Sequence, residues 1–153
     1  MSKIIVLPRF QLDCIRVARR LYFCVSENIN IRSTSKDHFF STDNEMIYKS
    51  EYSDFGPLNI AWVCRYIKKL EKKLKLKILA HKNIIHVTSS NNPRKAANAA
   101  CLAAMYRLLV LELDPTRAFA PFARYGDNTF KPFTVGSKMY KLRIMDFLNG
   151  FHK

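Results

Sequence analysis

The sequence predicts one α/β domain, and two observations lead to this prediction. Strand patterns lie mostly in the first half of the chain and helix patterns in the second, and a strand, a polar loop and a long helix follow one another at its centre. With 153 residues, 48% of them apolar, the chain can close one hydrophobic core. It contains no internal repeat and no low-complexity linker, so we expect residues 1–153 to form a single domain.

The N-terminal part combines a predicted short helix with two strands. Residues 12–20 have a pattern compatible with a helix, whereas residues 21–25 are aromatic and β-branched enough for a buried strand. Residues 28–37 are rich in Ser, Asn and charge and predict a connecting loop. A second strand is expected at residues 38–41, followed by a turn at residues 42–44.

A turn signal at residues 54–57 precedes the first long helix, and Pro57 suits the first turn of that helix. Apolar side chains recur along it with a period of about 3.6 residues, which predicts a buried stripe. The stripe comprises Ile60, Val63, Cys64, Ile67, Leu70 and Leu74. The basic side chains predicted to face outward are Arg65, Lys68, Lys69, Lys72 and Lys73.

The centre of the chain holds a strand at residues 83–87 and, after a polar loop, a helix at residues 95–113. This helix carries Ala, Leu, Met, Val and Cys on nearly every side, which predicts a central helix covered all round. Asp114 is placed to cap a further short helix that ends near Phe122. Beyond it we expect a loop at residues 125–136 and a last amphipathic helix at residues 138–149.

Charge and cysteine usage limit the class of protein. The chain has 26 Lys and Arg against 12 Asp and Glu, a formal charge of +14 that favours acidic partners. The four cysteines, Cys14, Cys24, Cys64 and Cys101, are widely spaced and are expected to be buried reduced thiols rather than zinc ligands. Neither a secretory leader nor a bilayer-spanning stretch is evident, and no cofactor motif is present, so we expect a soluble protein of the nucleus or cytoplasm.

The central strand, loop and helix have the layout of a loop that cradles a phosphate. Such a loop follows a strand ending His-Cys, surrounds an oxyanion with the N–H groups of about five residues, and ends in an arginine. Here Val87 occupies the position of the Cys, and six residues separate it from Arg94. Because valine cannot attack phosphorus, we predict a degenerate, non-catalytic site. It comprises His86, Val87, Thr88, Ser89, Ser90, Asn91, Asn92, Arg94 and Lys95.

Several of these residues have two interpretations. Arg94 beside Lys95 at a helix N-terminus can bind a phosphate, or Arg94 can hold the loop to neighbouring carbonyls or a carboxylate. The extra loop residue and the missing N–H of Pro93 favour the second interpretation. His86 is expected to orient the loop or to pack at the strand end rather than to act as a base. Asp54 is laid out like a general acid, but a turn or helix cap is the simpler interpretation.

Eight segments of the chain carry a resemblance to a known family: 20–23, 54–59, 65–66, 69–75, 82–86, 94–95, 97–100 and 144–150. In this order they resemble the N-terminal half of the Cdc-fourteen family of mitotic-exit dual-specificity phosphatases. The resemblance implies a phosphatase-like fold, with a central sheet flanked by helices. It also implies a tandem arrangement, in which the N-terminal domain lacks the nucleophile and helps to shape the substrate groove. The C-terminal domain carries the Cys loop and acts on phosphoserine followed by proline.

The chain contains no His-Cys loop, so we expect either that a catalytic half is missing from it or that it is a free-standing relative. The resulting prediction is an inactive binding, substrate-recognition or regulatory module for phosphoproteins or for a phosphatase catalytic half. The alternative is a basic protein on a reused phosphatase fold, which binds nucleic acid or another anionic surface, but not a membrane, through the outward Lys and Arg residues of the first helix. The family's groove is acidic, and the candidates to supply it here are Asp43, Glu45, Glu51 and Asp54.

Overall fold

The computed structural model of the chain describes residues 4–7, 12–44, 60–125, 133–135, 140–142 and 148–149. Its strands are β1 (Ile4–Leu7), β2 (Leu12–Arg16), β3 (Leu21–Ser26), β4 (Asp37–Phe40), β5 (Asn83–Ser89), β6 (Phe133–Val135) and β7 (Tyr140–Leu142). Its helices are α1 (Ile60–Lys75), α2 (Pro93–Leu109) and α3 (Pro115–Phe119), with two 3₁₀ segments at Lys77–Leu79 and Ala120–Tyr125.

Five strands form one mixed sheet in the order β1-β2-β3-β5-β4. β2 pairs antiparallel with both β1 and β3, whereas β5 runs parallel to both β3 and β4. The β3–β5 register runs from Leu21 opposite Ile84 to Ser26 opposite Ser89. Helix α1 connects the parallel strands β4 and β5, as parallel pairing requires a crossover. The predicted α/β class is confirmed.

Helix α2 lies at the centre of the core. All of residues 96–106 are buried, and the helix packs against β3, β5 and α1. Its alanines leave room for the sheet and α1 to approach the helix closely, so the predicted covered helix is confirmed. The helix ends at Leu109, before the predicted end at residue 113, and Glu112 then takes a left-handed backbone conformation with φ of 54°.

Helix α1 has the predicted amphipathic character with a shifted buried face. Its fully buried side chains are Val63, Tyr66 and Leu70. Cys64, which the periodicity placed in the buried stripe, is exposed, and Ile67 is only half-buried. The shift follows from Tyr66, because this large side chain points into the core and turns Cys64 to the surface.

Two helix predictions and one loop prediction are wrong. Residues 12–16 form β2, because both of their edges find strand partners in β1 and β3. The segments Phe133–Val135 and Tyr140–Leu142 pair as an antiparallel two-stranded sheet, within the regions predicted as loop and helix. Phe133–Val135 is a short run of aromatic and β-branched residues, and its local pairing with Tyr140–Leu142 overrides the longer helix-like pattern.

The prediction of four buried, reduced thiols is wrong for three of them, because Cys64 is exposed and two others are bonded to each other. Cys14 and Cys24 are directly opposite each other in the β2–β3 register, with 4.7 Å between their Cα atoms, and they form a disulfide bond. Cys101 is buried and free, and burial raises the pKa of its thiol. The cross-strand register that brings Cys14 and Cys24 together is not visible in their spacing along the sequence.

Candidate functional site

The candidate site begins where β5 ends and α2 begins. β5 continues through Ser89, two residues further than the sequence predicted, and a turn at Ser90 and Asn91 leads to α2. Asn92 caps the helix, since its side-chain Oδ1 accepts the N–H of Lys95 at 3.1 Å. Pro93 occupies the first turn, where its missing N–H costs no helical hydrogen bond.

His86 is fully buried beneath this turn. Its Nδ1 lies 2.8 Å from the hydroxyl of Tyr66 and its Nε2 3.0 Å from Oγ1 of Thr42. The ring stacks on Phe40 and meets Phe23 edge-on. Burial, with a smaller effect of a nearby lysine charge, lowers the pKa of His86 to about 3. A neutral, fully enclosed imidazole can position α1 and the β4 turn against the sheet, but it is not accessible to a substrate.

Val87 points to the opposite face of the sheet from His86, because successive strand residues alternate. It is buried in a small second cluster with Cys14, Cys24, Phe39 and Ile85. A side chain at this position is therefore enclosed by the sheet and its covering loop. The position at which the sequence predicts a degenerate nucleophile is thus part of a hydrophobic cluster.

Asp43 lies in the turn after β4, and its carboxylate contacts the first residues of the loop. Its Oδ1 accepts the hydroxyl of Thr88 at 2.8 Å and its Oδ2 accepts the N–H of Ser89 at 2.8 Å. Asp43 and Thr88 are both buried. The Asp43 carboxylate thus occupies hydrogen-bond donors that a bound phosphate would need, and its negative charge repels a second anion at the same place.

Two further N–H groups of the loop also have partners within the chain. Ser90 donates to the carbonyl of Ser26 at 2.9 Å, and Asn91 donates to Oγ of Ser89 at 3.1 Å. Together with the Asn92 cap, these bonds close the loop on itself. Of the remaining predicted site residues, the side chain of Arg94 and the whole of Asp54 lie outside the described residues.

The basic face of α1 is less open than the sequence predicted. Lys69 and Lys73 place their Nζ atoms 5.7 and 5.0 Å from the centre of the Phe40 ring, and Lys73 Nζ lies 2.8 Å from Nε2 of His38. Burial, then the charges of neighbouring lysines, lowers the pKa of His38. Arg65 covers the ring of Trp62 at 5.2 Å. Lys68 and Lys72 are exposed, as predicted.

The sequence alone did not identify Thr42 and Tyr66 as members of this site. Thr42 sits in a predicted turn and Tyr66 on a helix face, and they meet His86 only through the tertiary fold. The sequence indicated one further residue of the site, the acidic turn residue Asp43. It predicted Asp43 as part of a groove, and in the structure Asp43 contacts the loop.

The described residues contain neither a metal-binding cluster nor a membrane-spanning helix. No group of three or more His, Cys, Asp and Glu side chains there is placed to hold a metal ion. In the same part of the chain, no helix is both long and apolar enough to cross a bilayer.

Comparison with known proteins consistently finds protein phosphatases. The sequence profile described as "Dual specificity protein phosphatase, N-terminal half" matches residues 15–153. The chain is 40% identical over 137 residues to dual specificity protein phosphatase CDC14AB of Danio rerio and 41% identical over 137 residues to CDC14A of Homo sapiens. These matches cover 88% of the chain but only 22% and 23% of the relatives. The tyrosine-protein phosphatase CDC14 homolog of Schizosaccharomyces pombe is 41% identical over 88 residues, 57% of the chain and 16% of that protein.

Proposed function

Because the chain belongs to the family formed by the N-terminal half of dual-specificity protein phosphatases, with relatives of the Cdc-fourteen type, we propose that it recognises partners without removing phosphate. One observation carries the proposal. Residues 88–95 form the junction between β5 and α2, and Val87, at the position where a phosphatase loop would need a thiolate, is packed in the sheet. The Asp43 carboxylate also occupies donors of the loop.

The partner that this arrangement supports is a phosphatase catalytic half or a phosphoprotein that such a half acts on. The curated relatives are phosphatases several times longer than the matched segment, which is consistent with a domain that works beside another. We extend the proposal to a role in the cell cycle at mitotic exit and to a location in the nucleus or cytoplasm. In this role the loop is a structural element, and the surfaces of the domain make the contacts.

The first test is a phosphatase assay on the chain and on Val87→Cys, with para-nitrophenyl phosphate and a phosphoserine-proline peptide. We expect no turnover from either protein, because a thiol at position 87 would point into the buried cluster and away from the loop. Turnover by the unmodified chain would reject the proposal. Turnover by Val87→Cys alone would show that the loop still binds phosphate.

Recognition is tested separately by a backbone-amide NMR titration with the same phosphopeptide, its unphosphorylated twin and a short oligonucleotide. We expect peptide-dependent shifts and none from the oligonucleotide. Shifts from the oligonucleotide alone, centred on Lys68 and Lys72, would instead support the polyanion-binding alternative.

A further inference from the structure

We propose that a cleft at the opposite end of the sheet from the loop binds an acidic peptide segment that carries one large apolar side chain. The cleft has a volume of about 740 Å³ and lies between the turn before β3, the C-terminal end of α2 and the start of the 3₁₀ segment after α3. Four arginines line it: Arg16, Arg19, Arg107 and Arg117. We call it the arginine cleft.

The charge of the arginine cleft is not balanced by its own walls. None of the described residues that line it is acidic. Within the described part of the chain, the carboxylate that pairs with one of the four arginines is Asp114, 3.6 Å from Nε of Arg117, and this carboxylate also caps α3. Four guanidinium groups around one concavity repel one another, so an anionic ligand gains the energy of relieving that repulsion.

Arg107 is fixed in place before any ligand arrives. Its guanidinium donates to the carbonyls of Ala118 at 3.1 Å, Val17 at 2.6 Å and Arg117 at 3.1 Å. These neutral acceptors hold the group rigidly without cancelling its charge, and arginine remains protonated in proteins. Arg16 is likewise held, with donors to the carbonyls of Ala18 and Arg19. Such prior ordering reduces the entropy lost when a carboxylate binds.

An apolar pocket adjoins the arginine cleft and accommodates the large apolar side chain of the ligand. It has a volume of about 280 Å³, shares Ala18, Arg19 and Leu111 with the cleft, and is otherwise walled mainly by apolar side chains such as Leu21 and Leu74. Leu111 is 39% exposed, a large fraction for a leucine in a concave surface. A ligand with acidic residues next to a leucine-like side chain would cover both parts.

A peptide fits this surface better than a nucleic acid. The lining residues of the arginine cleft that the structure describes include no aromatic side chain on which a base could stack, and binding of single-stranded nucleic acids relies on such stacking. Arg20 lines the neighbouring pocket, and its guanidinium is held by the carbonyls of Leu74, Leu79 and Lys82.

The test is fluorescence anisotropy with a labelled peptide of alternating Asp and Glu around one leucine, at about 100 mM salt so that long-range attraction is screened. The cleft variant is Arg19→Gln with Arg117→Gln, both exposed positions. The matched control is Lys68→Gln with Lys72→Gln, which removes the same charge from an exposed face of α1. Circular dichroism verifies that both variants are folded.

We expect the cleft variant to weaken binding about tenfold and the control less than about twofold. Replacing the peptide's leucine by alanine should weaken binding about fivefold or more. Equal weakening by both variants would mean diffuse electrostatic attraction and would overturn the proposal. Absence of binding at millimolar protein, or a short oligonucleotide that displaces the peptide with the same sensitivity to Arg19 and Arg117, would overturn it too. These outcomes are independent of the phosphatase assay and of the loop.

Discussion

The hydroxyl of Tyr66 lies 2.8 Å from Nδ1 of the buried His86 and thereby joins helix α1 to the central strand β5. On the other side of the ring, Nε2 lies 3.0 Å from the hydroxyl of Thr42, in the turn after β4. A neutral imidazole has one donor and one acceptor, so one hydroxyl donates to the ring and the other accepts from it. Three elements that meet at the site are thus connected by uncharged hydrogen bonds.

Tyr66→Phe should destabilise the protein by about 1–3 kcal/mol, because the change removes the partner of a buried ring nitrogen and leaves the ring in place. Urea unfolding followed by circular dichroism measures the loss. Tyr22→Phe is the matched control, since Tyr22 is only half-buried, and we expect its effect to stay within about 0.5 kcal/mol. Equal effects of the two substitutions would show that the Tyr66 hydroxyl contributes nothing.

The stability of the protein should fall as the pH is lowered from about 6.5 towards 3. Burial lowers the pKa of His86 to about 3, whereas the unfolded chain takes up the proton near its ordinary value of 6.5. The unfolded state therefore binds more protons in this window, and the free energy of unfolding decreases by up to about 1.4 kcal/mol per pH unit. The contribution is fully present above pH 6.5. His38, whose pKa burial also lowers, adds a change of the same sign.

Urea unfolding at several pH values between 4 and 7 measures this dependence. His86→Gln should show a shallower slope, and His81→Gln, at an exposed position, should keep the slope of the unmodified chain. NMR of the imidazole provides the direct reading. A titration of the His86 ring with a midpoint near pH 6.5 would refute the expected behaviour.

Glu112→Gly should stabilise the protein by up to about 1 kcal/mol. Glu112 has a φ of 54°, a left-handed conformation that costs a residue with a side chain about 1–2 kcal/mol and costs glycine almost nothing. Part of the gain is lost because glycine adds freedom to the unfolded chain. Glu112→Ala removes the same carboxylate and keeps Cβ, so it should give no gain. A midpoint of thermal unfolding that rises equally in both variants would attribute the effect to charge.

The double variant Cys14→Ala with Cys24→Ala should lose about 2–3 kcal/mol of stability. The disulfide closes a loop with a sequence separation of 10 residues and so restricts the unfolded chain. A reducing agent should lower the midpoint of thermal unfolding of the unmodified chain but leave the double variant unchanged. Thiol titration of the denatured, unreduced protein should find only Cys64 and Cys101. Four reactive thiols would contradict the bond.

The sequence predicted the parts of the fold that depend on local patterns. The strand at residues 21–25, the covered helix α2 and the short helix capped by Asp114 follow from composition, periodicity and capping within a few neighbouring residues. Residues 12–16 were assigned to a helix because their strand character depends on two partners, β1 and β3. The pairing of β6 with β7 was missed for the same reason.

Only the continuous part of the candidate site could be predicted from the sequence. The order of strand, polar turn and capped helix around Val87 was readable, because it lies in one continuous segment. The buried environment of His86 and the occupation of Thr88 and Ser89 by the Asp43 carboxylate were not, since both involve residues more than one element away. Contacts of this kind are determined by the register of the sheet.

The position of β5 between β3 and β4 also determines the order in which the sheet can be assembled during synthesis. β1, β2 and β3 are consecutive and can pair with one another as soon as they leave the ribosome. β4 is made next, but in the finished sheet it pairs with β5, which follows only after α1. Until β5 is made, β3 and β4 therefore each expose unpaired backbone groups, and pairing across so long a separation is slow. In this interval the nascent chain is most vulnerable to pairing with another copy of itself.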